Sequence, residues 1–292
     1  MPGQRPPTVR LRRLAAELRR LRADADLTRE DVTRETGINP ATLYRIETAR
    51  GKPQQRTLMA LLKLYEVSQS QLAELVALSQ GADAQGWLRP YHSELPEEYT
   101  AYISFEAEAR SVRNYESLFI PGLLQTEDYA RAVIRSGLPM ADSRVVEQRV
   151  QARLERQAAL TGERPLHLWA ITDEAAIRRI VGGPEVMSAQ LRYLVSAGEA
   201  PNVTIQVIPF AAGAHAGMPG SFVLMSFPDS EDPEIIYIDS MAGDLFLEAE
   251  VDVRRYELLF DNLRAVALGP DDSTNLIKKV AEELQAGEEV TE

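Results

Sequence analysis

Ala41, Thr42, Tyr44 and Arg45 combine side-chain types that can touch base edges with a spacing that keeps them on one side of a helix. An arginine can donate two hydrogen bonds to guanine O6 and N7, and Ala41 and the Thr42 methyl can meet thymine methyl groups. Tyr44 joins this base-reading set by its position. Thr28, Arg29, Asn39, Arg50 and Lys52 carry donors that hold phosphate oxygens, contacts that set register without reading sequence. Elsewhere, chemistry-bearing residues are sparse. His92, His167 and His215 are the only histidines, and none has another histidine or an acid at metal-site spacing. His215 lies in a Gly/Ala-rich stretch, Ala211 to Gly220, whose small residues leave backbone open to a partner chain or ligand. His215, Gly217 and Gly220 are the candidates there; a mobile surface loop is the alternative. No lysine follows His215 in an HxK arrangement. Asp173 and Glu174 follow an expected strand, but their place before AAIRRIV suits a cap and a first-turn acid. With no cysteine, nucleophile elbow, P-loop or dinucleotide fingerprint, no catalytic residue, metal or cofactor is expected. The chain reads as a non-enzyme.

The reading residues need a scaffold, and the first eighty positions supply it. Leu11, Leu14, Leu18, Leu21 and Ala25 recur at three- and four-residue spacing, the stripe of an amphipathic helix. Thr28 is an N-cap candidate, with Glu30 and Asp31 in the turn where the helix dipole favours acids. That helix is expected to end near Thr36, because Gly37 suits a left-handed C-cap. Asn39 then caps, Pro40 takes the first helical position, and ATLYRIETAR continues a third helix to Gly51. This is the helix-turn-helix layout, whose second helix lies in the major groove while the first rests across the backbone. Leu43 and Ile46 become the core face. Leu58, Leu61, Leu62 and Tyr65 mark a fourth helix, and a fifth opens on a Ser68–Gln71 capping box and buries Leu72, Leu75 and Val76.

The segment LRADADLTREDVTRETGINPATLYRIETARGKPQ resembles the xenobiotic-response-element (XRE) type of helix-turn-helix regulator of phages and bacteria. The resemblance implies that Glu47 pairs with an arginine near the end of the first helix, here Arg22, as a structural pair and not a DNA contact. Thr33 stands where that family usually has alanine, and Thr36 where an apolar residue is common.

At 292 residues the chain is longer than one small domain needs. The small, polar residues 80–86 read as a linker between a helix-turn-helix domain, 1–79, and a larger domain, 87–277. Residues 278–292 read as the end of a C-terminal helix and an acidic tail. In the larger domain SVRNYESLFI alternates enough for a strand, with helix as the alternative, and LHLWAIT, VTIQVIPF, FVLMSF and EIIYID have strand character. Helices are expected from Pro96, from Thr126 to about Gly137, and from about Ser143 to Leu160. DEAAIRRIV, SAQLRYLVSAGE, VRRYELLFDNLRAVAL and STNLIKKVAEELQ are further helices, with GEEVTE as a frayed tail. The expected fold is an all-α helix-turn-helix domain of five helices followed by a larger α+β domain, with α/β as the alternative.

WLRPYHSELPEEYTAYISFEAEA, IPGLLQTEDYARA, RLERQAAL, DEAAIRRIVGGPEVMSAQL and VTIQVIPFAAGAHAGMPGSF occur in that order. Together they resemble the antitoxin-like C-terminal domain of unknown function found in a large actinobacterial group of such regulators. The resemblance covers most of residues 87–277; Asp239 departs from it, since glutamate is commoner there. It implies a transcriptional regulator whose C-terminal domain binds a small partner protein and thereby modulates DNA binding. It implies no known reaction.

The formal net charge of −12 argues against nucleic acid only as an average. Residues 1–80 carry a net +5 and residues 81–292 a net −17, the asymmetry of a basic end that meets phosphate and a body that does not. Arginine outnumbers lysine 28 to 4, a compositional hint of a GC-rich bacterial genome. No apolar run reaches the ~18 residues of a membrane span, and the N-terminus lacks a signal-peptide core. The expected protein is cytoplasmic and nucleoid-associated when bound to its operator, a homodimer on near-palindromic duplex DNA. Rival readings are a sensor with a small molecule in the C-terminal domain, a DNA-tethered enzyme, and an interaction protein whose helix-turn-helix no longer binds DNA.

Overall fold

The computed structural model describes residues 9–81, 95, 97–228, 232–240 and 243–289. Residues 82–86 of the expected linker, His92 and the last three residues of the tail lie outside them.

Five helices lead the chain: α1 (Val9–Asp24), α2 (Arg29–Thr36), α3 (Pro40–Glu47), α4 (Gln55–Leu64) and α5 (Gln69–Gly81). Their limits follow from local chemistry. Thr28 Oγ1 accepts from Asp31 N, while Asp31 Oδ2 accepts from Thr28 N at 3.0 Å, a closed capping box. Gly37 ends α2 with φ +71°, and Asn39 Oδ1 opens α3 by accepting from Ala41 N at 2.9 Å. Ser68 and Gln71 form the expected box ahead of α5. Helix α3 stops short of Gly51, however. Ala49 adopts φ +54°, and Arg50 N donates to Arg45 O at 2.7 Å, the reversal of a Schellman end built without glycine.

Leu14, Leu18, Val32, Leu43, Leu58, Leu61 and Leu62 pack into one buried core. The two threonines in α2 bring no orphan polar groups into this packing. Thr33 Oγ1 donates to Arg29 O at 2.9 Å and Thr36 Oγ1 to Val32 O at 2.6 Å. Helix α6 (Glu97–Glu108) follows, and its front, up to Phe105, groups with α1–α5; the chain from Glu106 on forms a second unit. Within the first unit the Arg12 guanidinium lies over the Phe105 ring, 4.7 Å from its centroid.

The second unit is built on β1 (Ser111–Glu116), β2 (His167–Asp173), β3 (Val203–Ile208), β4 (Phe222–Ser226), β5 (Ile235–Ile238) and β6 (Leu245–Leu247), in the order β3-β2-β1-β4-β5-β6. The first three strands run parallel, and β4, β5 and β6 each pair antiparallel with the preceding neighbour in the sheet. Parallel neighbours require crossovers. Helices α7 (Glu127–Gly137) and α8 (Ser143–Arg156) join β1 to β2, and α9 (Glu174–Arg178) and α10 (Pro184–Ala197) join β2 to β3. Helices α11 (Glu250–Val266) and α12 (Pro270–Glu289) follow the sheet. The mixed sheet makes this an α+β unit. Tyr115, Ile171, Ile208, Phe222, Leu224 and Ile236 form a core with Phe260 and Leu263 of α11. Strand alternation sends Val112, Ala170, Val223 and Met225, also buried, to the opposite face.

Several expected boundaries shift. Strand β1 ends at Glu116, before Leu118 and Phe119, and a 3-10 turn at Gly122–Leu124 follows Pro121. The helix from Ser143 becomes 3-10 at Gln157–Leu160. Thr126 precedes α7 without a side-chain cap, since its N–H and hydroxyl both donate to Gln190 Oε1, at 2.7 and 3.2 Å. The tail segment GEE lies within α12. Strand β6 has only three residues, too few for alternation to show in the sequence.

Candidate nucleic-acid interface

On α3, Leu43, Ile46 and Glu47 are buried, while Ala41, Thr42, Tyr44 and Arg45 are exposed. The divide follows from a 3.6-residue repeat whose apolar members face the leucine core. Glu47 is the one charged residue of the inward set, and its side chain is wholly inaccessible. Arg22 neutralises it: Nε donates to Oε1 at 2.5 Å and Nη2 to Oε2 at 3.3 Å, while Nη1 binds Leu27 O at 2.9 Å. These bonds to Glu47 hold the Arg22 guanidinium above its ordinary pKa. The expected structural pair is therefore present and ties α3 to α1.

Sequence reasoning missed the third member. Arg29 Nε donates to Glu47 Oε2 at 2.7 Å, so the first residue of α2 also holds α3. Its guanidinium lies 5.4 Å from the centroid of the Tyr44 ring, and that of Arg50 lies 5.7 Å from the same centroid. The Arg45 side chain runs beside Gly51, where an added Cβ would sit 3.5 Å from Nη2. Of the remaining candidates, Thr28 has its hydroxyl engaged with Asp31 at 2.6 Å, and Asn39 is exposed with Oδ1 used as the cap. Lys52 is exposed beyond α3, at the edge of a cleft of about 350 Å³.

In the second unit, the connection from β3 at the sheet edge to β4 beside β1 must pass the carboxyl ends of β2 and β1. His215 turns inward from it. Its Nε2 lies 3.1 Å from Asp173 Oδ2, and Nδ1 lies 3.2 Å from Gly217 N, which donates to it. Asp173 Oδ1 caps α9 through Ala175 N at 2.8 Å, as expected, and Glu174 Oε2 accepts from Phe210 N at 2.7 Å. Both acids thus also pin this connection. Gly217 is buried against Tyr115, where a Cβ would lie 2.5 Å from the ring; only glycine fits. Tyr115 is inaccessible and its hydroxyl has no partner in the structure. Gly220 is exposed, with φ +149°. His167, exposed, opens β2 at the other end of the sheet.

On the opposite sheet face, desolvation pushes the Glu116 carboxyl up to about 7; Asp239 adds to the shift, while Ser221, Asn114 and Arg153 oppose it. Exposed Leu118 and Phe119 after β1, and Phe210 and Met218 between β3 and β4, give this end of the sheet an apolar rim. Among the described residues no group of three or more His, Asp or Glu could hold a metal ion.

A capped five-helix unit with a buried acid–arginine lock and an outward polar α3 defines a helix-turn-helix DNA-binding protein. Residues 13–75 match a family described as a helix-turn-helix domain, and residues 99–279 one described as a domain of unknown function, DUF5753. The chain belongs to this second family. No curated protein and no solved structure matches the chain. Among the described residues no helix is long and apolar enough to cross a membrane.

Proposed function

We propose that the protein is an XRE-type transcriptional regulator that binds an operator as a homodimer. Its half-sites then lie about one helical turn, ~34 Å, apart. The observation that carries the reading is α3 itself, with Ala41, Thr42 and Arg45 turned out while Leu43, Ile46 and Glu47 anchor it. Arg45 reads guanine; Arg29, Asn39, Arg50 and Lys52 hold phosphates, with the α2 terminus at Thr28 against the backbone. The second unit is the antitoxin-like regulatory part, with no reaction of its own. It binds a small partner protein that modulates DNA binding, and the apolar rim of Leu118, Phe119, Phe210 and Met218 supports this role. The working compartment is the cytoplasm, on the nucleoid when the operator is occupied.

The test is selection from a random-sequence duplex pool with the full chain. The wild type enriches a near-palindromic site, and Arg45→Ala relaxes preference at one base pair of each half-site, costing about 1–3 kcal/mol there. Enrichment of no sequence would remove the reading, and unchanged preference in the variant would remove Arg45 from it. Sensing of a small molecule is a second reading, favoured by the buried, unpartnered Tyr115 hydroxyl beneath the β3–β4 connection. A ligand recovered from the second unit of the native protein would support it.

A further inference from the structure

We infer that Tyr44, expected from its position to read bases, is instead a positioning residue that aligns Arg29 and Arg50 as a phosphate clamp. The inference rests on the DNA-binding reading and separates what gives affinity from what gives sequence preference. Both guanidiniums lie inside the ~6 Å range over which a cation is drawn to an aromatic face. Tyr44 is 42% exposed, so its ring contributes little to the core and is available to the two arginines.

The charges around the ring are not cancelled. Glu47 is already held by Arg22, so the addition of Arg29, whose side chain is 37% exposed, leaves this trio with one surplus positive charge. Arg50 supplies a second. The nearby Asp31 is taken up by Thr28 and Arg34. Arg29 is fixed through Nε alone, which leaves its two Nη groups to form the fork that fits a phosphate.

Position agrees with this division of labour. Arg29 opens α2, the helix that rests across the backbone, and Arg50 lies just past the end of α3. Base edges are met by the N-terminal turns of the reading helix, where Ala41 and Thr42 stand. A ring engaged by two guanidiniums is also a poor surface for a thymine methyl. Stacking and the Glu47 bond order the long side chains before DNA arrives, so less freedom is lost on binding.

The experiment measures affinity of the full chain for a mixed-sequence 30-base-pair duplex and for the selected duplex, at ~50, 100 and 200 mM salt. Tyr44→Leu is expected to weaken both about tenfold and to reduce the slope of log K against log salt by ~1–2, without changing the selected sequence. Tyr44→Phe, which keeps the ring, is expected to behave as wild type. In Tyr44→Leu the further change Arg50→Gln is expected to cost less than it does alone, since the clamp is already lost. Thermal unfolding, read in parallel, should be the same in all five proteins. A shifted base preference with an unchanged slope, equal losses in the Phe and Leu variants, or additive losses in the double variant would each overturn the clamp while leaving DNA binding intact. A wild type that binds neither duplex at any salt would overturn the DNA-binding reading as well.

Discussion

A carboxyl group that holds its proton near neutrality couples stability to pH, and Glu116 is such a group. Its folded pKa of about 7 exceeds the ordinary 4.5, so between these values the native protein keeps a proton that the unfolded chain has released. Stability from this residue is therefore fully present below pH ~4.5 and is lost as pH rises through ~7. The loss expected is about 1–3 kcal/mol. A comparison of wild type with Glu116→Gln in urea at pH 5 to 7.5 isolates the carboxyl. The gap between the two should change with pH, against the wild type; a constant gap would mean that Glu116 titrates normally. At this scale the sequence was only partly legible. The Arg22–Glu47 pair follows from a family pattern, whereas Arg156 with Glu106, a buried bidentate pair at 2.7 and 2.8 Å, joins residues 50 apart in sequence. His215 and Asp173, 42 apart, meet only because strand order brings a loop over β2. Helical or strand periodicity carries no information about either.

Elements were most legible where their signals are local. Thr28 with Asp31, Gly37, Asn39-Pro40 and Ser68 with Gln71 lie within a turn of the helix end they define, and each occupies the position expected of it. The end of α3 carries no such local signal. The residue that turns left-handed is Ala49, which lacks the signature of glycine, and its strain is held by the surrounding fold. Gly37 gives the cleaner experiment. Its φ of +71° is unfavourable for any residue with a Cβ, yet nothing lies within 4 Å of where that atom would be. Gly37→Ala is therefore expected to cost only the backbone term, about 1–2 kcal/mol, with Gly37→Asn costing less. Urea unfolding measures both; equal costs for alanine and asparagine would show that the left-handed turn does not limit the site.

At the scale of the whole molecule, the segregation of a net +5 in residues 1–80 from a net −17 in the rest sets how DNA binding must respond to salt. Each phosphate neutralised by a cation contributes about −0.9 to the slope of log K against log salt. Arg29, Arg50 and Lys52 are the cationic phosphate candidates of one chain, since Thr28 and Asn39 are neutral and release no counterions. One chain thus predicts a slope of about −2.7, and a dimer on two half-sites about −5.4, or roughly a thousandfold loss of affinity between ~50 and ~200 mM. The acidic remainder acts in the opposite sense, because salt also screens its repulsion from DNA. That screening is largely complete beyond ~8 Å at physiological salt, so it trims the slope without reversing it. Affinity titrations of the full chain at three salt concentrations consequently answer two questions at once. A slope near −5 supports paired half-sites, one near −3 a single bound chain, and a slope of zero or above would show that the basic end does not meet phosphate.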